Sequence, residues 1–257
     1  MDTDYLAMQE EAHQLALQLF GDKTEKIDSF ANRLLDIYTR AQGKDFLLIH
    51  NPGGWGNKTL EHCLQWERNA VNGVSATIGQ MGYTWSLVQY FRSGTSWREQ
   101  VQDLREQFHF FATKARIMAT ELEFVSRHLT NPKVILIGIS QGAGFTNAVM
   151  QQLTRIHQIY SIELGMFFPH LSRRVLTEKT LALDWNGIVP DAAVRRDMSA
   201  GARAYMAAPF KWLKYQVERQ PVAFSHCVNI RGHNYDWGYP YVRRRVTDFL
   251  ENNFGTR

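Results

Sequence analysis

The chain is poor in the features that mark special classes of protein. Two cysteines in 257 residues, Cys63 and Cys227, stand far apart and in no metal-binding spacing. They suit a reducing compartment and leave room for at most one disulfide. No segment has the roughly 18 consecutive apolar residues of a membrane span. No internal repeat, low-complexity tract or Pro/Ser-rich linker interrupts the sequence, so residues 1–257 are read as a single domain. The excess of positive charge is slight, +4. Its short basic clusters, Arg173-Arg174 and Arg243-Arg244-Arg245, lie in mixed sequence, as solvated surface does, which argues against nucleic acid as a partner. The start, "MDTDYLAMQEEAHQLALQLF", is acidic and interrupted by polar residues, without the basic start and apolar run of a signal peptide. A soluble cytoplasmic protein is expected.

What is present is a regular alternation of helical and apolar segments. Met8, Ala12, Leu15 and Leu19 share one helical face, and Ile27, Phe30, Ala31, Leu34 and Tyr38 share another. Apolar runs at 45–50, 84–91, 133–138, 159–165 and 180–185 read as buried strands, with a sixth, "SHCVNIRG", at 225–232. Between them, Leu60, Cys63, Leu64, Val71 and Val74 mark one helix. Val101, Leu104, Phe108, Phe111, Ala115, Met118, Leu122 and Val125 mark a long one over 98–129. "VRRRVTDFLENNF" closes the chain as a helix. This order predicts an α/β protein, a three-layer α/β/α sandwich with a mostly parallel sheet of about six strands. Such sheets bind ligands beyond the carboxyl ends of their strands.

The loop after the third strand is Gly138-Ile139-Ser140-Gln141-Gly142. Small residues flanking a serine at a strand-to-helix turn let the chain turn sharply and lift the hydroxyl above the sheet, towards the positive end of the following helix. The other reading is a glycine-rich connection whose serine only caps the helix. After the predicted sixth strand, His233 follows a glycine and precedes the last helix. An imidazole there is placed to take the serine's proton and return it to a leaving group.

On GISQG, on the glycine-rich loop "HNPGGWG" after "DFLLIH", and on RGH near the C-terminus, the chain resembles the α/β-hydrolase family over residues 45–257. Gly-x-Ser-Gln-Gly is similar to the carboxylesterase and acyl-thioesterase branch. The chain departs from the family at its start, where two helices stand in place of the usual β-hairpin. The resemblance implies Ser140 as nucleophile and His233 as base. It also implies an oxyanion hole formed by the N–H of Gln141 and a second N–H from residues 50–56. Pro52 has no N–H to give, so the second donor is assigned to Gly53 or Gly54. The acid follows the fifth strand, in "LALDWNGIVPDAAV". Asp191 is favoured, with Asp184 next and Asp236 or Glu163 behind. Asn186 occupies a position where a carboxylate would fit, but an amide cannot stabilise an imidazolium in the same way.

Trp55, Phe91, Trp97, Phe167, Phe168, Trp185 and Trp237 fall in or beside the loops after strands, as pocket walls or as packing. Residues 192–224 are longer than a crossover needs and are read as a candidate partial lid. The expected activity is hydrolysis of a small-molecule carboxylic ester or thioester through an acyl-enzyme, without cofactor or metal. Two alternatives stand beside it: hydrolysis of an amide, lactone or carbon–carbon bond on the same triad, or a non-catalytic relative that binds a ligand or partner.

Overall fold

The computed structural model describes residues 3–94, 96–153, 158–218 and 227–255. Two helices, α1 (Thr3–Phe20) and α2 (Thr24–Ala41), precede β1 (Phe46–Asn51). A short 3₁₀ turn, Leu60–His62, leads into α3 (Gln65–Gln80) and β2 (Trp85–Gln89). Then come α4 (Trp97–Phe108), α5 (Ala112–His128), β3 (Lys133–Ile139), α6 (Gln141–Gln152) and β4 (Ile159–Leu164). The chain ends with α7 (Phe168–Leu171), β5 (Thr180–Leu183), α8 (Met198–Val217) and α9 (Pro240–Phe254).

The five strands form one sheet in the order β2-β1-β3-β4-β5, and every pairing is parallel. Strand side chains alternate between faces, and the two cores divide on that period. Leu47, Ile49, Val134 and Leu136 pack with α1, α2, α5 and α6 on one face. Phe46, Leu48, Ile135 and Ile137 pack with α3 and α9 on the other. A sheet covered on both sides buries every residue of β1, which is why its first four residues are a continuous apolar run with no polar alternation.

Two expectations are corrected. The sixth strand does not form: residues 228–232 are irregular and then turn, while 225 and 226 lie outside the described residues. Instead of pairing with β5, this segment takes the loop beyond it, the Arg231 carbonyl accepting the Ala192 N–H at 3.0 Å. The helix expected over 98–129 is two helices, broken where Phe110 and Phe111 adopt left-handed φ of 56° and 57°. The break drives Phe111 into the core, stacked on His170 at 5.0 Å and edge-on to Phe145 at 5.6 Å. It leaves Val101 and Phe108 exposed instead of on the inner stripe.

The N-terminal helices pack as a pair through Met8, Ala12 and Ala16 against the Phe30 and Leu34 side of α2. Arg33 of α2 pairs with the buried Glu121 of α5 and lies over the Tyr90 ring at 4.9 Å, tying both helices to the sheet. Cys63 and Cys227 are both buried. Among the described residues no helix is long and apolar enough to cross a membrane.

Candidate active site

Ser140 joins β3 to α6 with φ 56° and ψ −115°, a conformation that costs an L-residue of order 1–3 kcal/mol. The turn is sharp enough that its neighbours must be small. A Cβ on Gly142 would overlap the Asn51 carbonyl oxygen, and one on Gly138 would stand 2.6 Å from the Gly142 oxygen. Two backbone bonds hold the corner: Ser140 N–H to the Leu164 carbonyl at 2.8 Å, and Ala143 N–H to the Ser140 carbonyl at 3.0 Å. The serine is therefore presented at the end of the central strand, at the start of a helix.

Asp191, in the loop after β5, is buried and accepts the His233 Nδ1–H at 2.8 Å on Oδ2. The same oxygen accepts the Tyr235 hydroxyl at 2.7 Å, and Oδ1 accepts the Ala193 N–H at 2.8 Å. Burial alone would raise the Asp191 pKa. The hydrogen bond and charge of His233, with Tyr235 and Ala193, more than offset it and hold the carboxyl below its usual range. Tyr235, fully buried against this carboxylate, is pushed far above the ordinary phenol value.

Gly165, just past β4, connects the two halves. Its neighbour Leu164 accepts the Ser140 N–H, and a Cβ on Gly165 would stand 3.0 Å from both Asp191 Oδ2 and His233 Cε1. Among the described residues no hydrogen bond joins Ser140 to His233; such bonds are often loose without substrate.

The remaining acid candidates are occupied elsewhere. Asp184 pairs with Arg174 at 2.6 Å. Asp236 accepts from Asn69 and from the Gly238 N–H. Glu163 is buried under Asn147, Ser161 and Arg174, and its burial lifts the carboxyl to about 7. Asn186 caps its own turn, accepting the Ile188 and Val189 N–H groups.

The loop after β1 lies beside the nucleophile, since a Cβ on Gly53 would stand 3.6 Å from Ser140 Cβ. The two glycines assigned as donors are used differently. Gly53 N–H is already given to Glu67 Oε1 at 3.1 Å, whereas no hydrogen bond from Gly54 N–H occurs among the described residues. Arg92, buried after β2, donates to the Pro52 and Gly54 carbonyls, each at 2.6 Å.

Below this loop, ligand-type atoms of His50, Cys63 and Glu67 lie within 4.8 Å of one another, all buried. These groups already hydrogen-bond to one another and to their neighbours. His50 donates Nε2–H to Glu67 at 3.1 Å, and Gln89 Nε2 lies 3.3 Å from its Nδ1. Burial raises the Cys63 thiol well above its usual value, with the nearby Glu67 carboxylate adding to the effect.

The aromatic residues do not make a single wall. Trp237 is packed on Gly73 of α3, and Trp185 leans on Tyr241 at 4.9 Å. Phe167 and Phe168 contact each other, and Trp55 and Phe91 are exposed. The Trp97 side chain lies outside the described residues. A cavity of about 470 Å³ opens beside His233, lined by Leu64, Trp66 and Ile230 with Lys211 and Lys214 of α8. The candidate lid is thus in part the helix α8 that borders this cavity; residues 219–224 lie outside the described residues.

No protein-family model matches the chain, and no curated protein matches it. Among solved structures it is similar to the Trichoderma reesei cutinase in complex with a C11Y4 phosphonate inhibitor. The identity is 13%, with 95% of this chain and 98% of that chain covered, at a TM-score of 0.50. The chain has an α/β-hydrolase fold.

Within this α/β-hydrolase fold the carboxyl end of every strand contributes to one place: the 52–56 loop after β1, Arg92 after β2, Ser140 after β3, Gly165 after β4 and Asp191 after β5. Sequence reasoning did not find Tyr235, Arg92 or Glu67. Tyr235 is two residues beyond His233, in the loop that leads to α9. Glu67 sits in "WERN" on α3 and Arg92 in "FRSG", where nothing local separates a buried charge from a solvated one.

Proposed function

We propose that the protein is a serine hydrolase that cleaves a carboxylic ester or thioester by way of an acyl-enzyme. The observation that carries this reading is the pairing of a strained Ser140 at the elbow with a buried Asp191–His233 couple one residue from the backbone that holds it. The fold alone leaves the chemistry open; a serine held at φ 56° has a cost that packing does not require.

In the proposed reaction His233 Nε2 takes the Ser140 proton as Oγ attacks the acyl carbon. The developing oxyanion is met by the N–H of Gln141, at the start of α6, and by that of Gly54. Collapse expels the alcohol or thiol, which takes the proton from His233. Water then repeats the sequence to release the acid and restore Ser140. Asp191 keeps the His233 proton on Nδ1, leaving Nε2 as the base. The cavity beside His233 is within the size range of small-molecule sites and is assigned to the substrate.

The test is covalent labelling of the purified protein by a fluorophosphonate, followed by turnover of p-nitrophenyl esters of increasing chain length. Labelling that disappears in Ser140→Ala and His233→Ala is the expected result. Folded wild-type protein that neither labels nor turns over any ester would overturn the reading and favour a ligand-binding protein on the hydrolase fold.

A further inference from the structure

The loop after β1 is gripped by two buried charged side chains of opposite sign, each acting on the backbone. The Pro52–Gly53 peptide is held at both ends: its carbonyl accepts from Arg92 Nη1 at 2.6 Å, and its N–H donates to Glu67 Oε1 at 3.1 Å. The Gly54 carbonyl accepts from Arg92 Nη2 at 2.6 Å, and the Gly56 carbonyl accepts from the Arg92 backbone N–H at 2.8 Å. Gly53 O in turn accepts the Gly56 N–H at 3.2 Å. A trans peptide points its N–H opposite its carbonyl. Fixing Gly53 O towards Gly56 therefore aims the Gly54 N–H the other way. The clamp is itself held. Arg92 lies over the rings of Phe111 and Phe145, and the same Glu67 oxygen takes His50 Nε2–H. Arg92 and Glu67 are 4% and 5% exposed. Burying two charges costs desolvation that an ordinary turn does not require.

We propose that Arg92 and Glu67 are positioning residues that preorganise the second oxyanion donor, Gly54 N–H, over Ser140. The proposal rests on the hydrolase reading above. A donor set in place before reaction needs no reorganisation as charge develops on the oxyanion. A loop freed on either side would still bind ester but would stabilise the transition state less. Glutamine at 67 keeps an oxygen able to accept from both Gly53 and His50, so it should hold the loop; leucine cannot. Lysine at 92 has a single ammonium and cannot span two carbonyls as the guanidinium does.

The experiment compares wild type with Glu67→Gln, Glu67→Leu, Arg92→Lys and Arg92→Met, as full chains. The readouts are kcat and KM on p-nitrophenyl butyrate, Ki for an alkyl trifluoromethyl ketone, melting temperature and bound metal. Glu67→Leu and Arg92→Met should lower kcat by about 30- to 300-fold with KM within about threefold, less than the roughly 100- to 1,000-fold of an oxyanion donor removed outright, because the donor is displaced and not deleted. The ketone Ki, which reads the bound oxyanion, should rise in parallel. Glu67→Gln should return kcat to within about tenfold of wild type, while Arg92→Lys should not. If the apolar variants do not fold, the contrast between Glu67→Gln and Arg92→Lys decides. Folded Glu67→Leu and Arg92→Met proteins whose kcat stays within about threefold of wild type would overturn the clamp, and wild-type turnover with Ser140-dependent labelling would leave the hydrolase reading standing. Stoichiometric metal held by His50, Cys63 and Glu67 would also overturn it, because Glu67 would then be a ligand and not the acceptor for Gly53. A wild type that neither labels nor turns over removes the hydrolase reading and the clamp with it.

Discussion

Replacing Asp191 with asparagine tests the His233 assignment with little change in shape. The Ala193 and Val194 N–H groups point at Oδ1, at 2.8 and 3.4 Å, and require an oxygen there. The new amide group must then face His233 and Tyr235. Tyr235 can turn its hydroxyl to accept, but His233 Nδ1 must also become an acceptor. That moves the ring proton to Nε2, where it blocks uptake of the Ser140 proton. The opposite amide orientation keeps the tautomer but turns its NH₂ on two backbone donors, at about 1–3 kcal/mol for each unsatisfied group. Taking the lower end for both, about 2 kcal/mol, the active orientation is populated roughly one time in 30, so kcat should fall by at least about 30-fold. The full tautomer effect approaches about 10⁴. Burst kinetics on a p-nitrophenyl ester isolate the acylation step in which this loss should appear. Asp184→Asn and Asp236→Asn, whose carboxylates are bound to Arg174 and to Asn69 and Gly238, should stay within about threefold of wild type. An Asp191→Asn protein within about tenfold of wild type, or an equal loss in Asp184→Asn, would refute the assignment.

Four further outcomes follow from the same geometry. Ser140→Gly should abolish fluorophosphonate labelling yet raise unfolding stability by about 1 kcal/mol, because glycine relieves the positive φ; a fall in denaturation midpoint would contradict the strain. Gly142→Ala should cost about 3 kcal/mol in urea unfolding, since its Cβ meets the carbonyl oxygens of Asn51 and Pro52, which are backbone and cannot swing aside. Tyr235→Phe should lower kcat by about 3- to 10-fold and stability by about 1.5 kcal/mol, one charge-assisted hydrogen bond. Glu163, lifted from 4.5 to about 7 by burial, binds more protons folded than unfolded, so wild type should lose up to about 3 kcal/mol as pH rises through that window. Glu163→Gln should flatten that slope, and calorimetric midpoints across the range would read it.

The sheet was legible because its chemistry is local. Each strand from β1 to β5 is a largely apolar segment bounded by turn residues, most nearly continuous in the central β1 and β3, which are buried on both faces. The sixth run, "SHCVNIRG", has the same local look. What decides against a strand is distant, the preference of Arg231 O for the Ala192 N–H in the loop beyond β5. The break between α4 and α5 is equally hidden. Apolar spacing passes from Phe108 to Phe111 without a glycine or proline, and two aromatics take up φ values that such residues rarely adopt. Only the slot between His170 and Phe145 explains why.

The site divides along the same line. Ser140 drew attention because it stands between a readable strand and a readable helix, and Asp191 by its place in the loop after β5; His233 was marked by a sixth strand that does not form and by the last helix that follows it. The supporting residues come from elements whose sequences carry no mark of it. The locally costly features nevertheless cluster. A serine at positive φ, a buried arginine on two carbonyls and a buried glutamate on a backbone N–H all converge at the carboxyl ends of β1, β2 and β3. The left-handed Phe111 lies directly beneath that arginine. Packing alone favours none of these choices: glycine would ease the elbow, and apolar residues would fill the space under the loop without desolvating charge. Their concentration at the end of the sheet where open α/β folds bind ligands is what a preorganised site requires, and it is the physical reason for placing chemistry at Ser140.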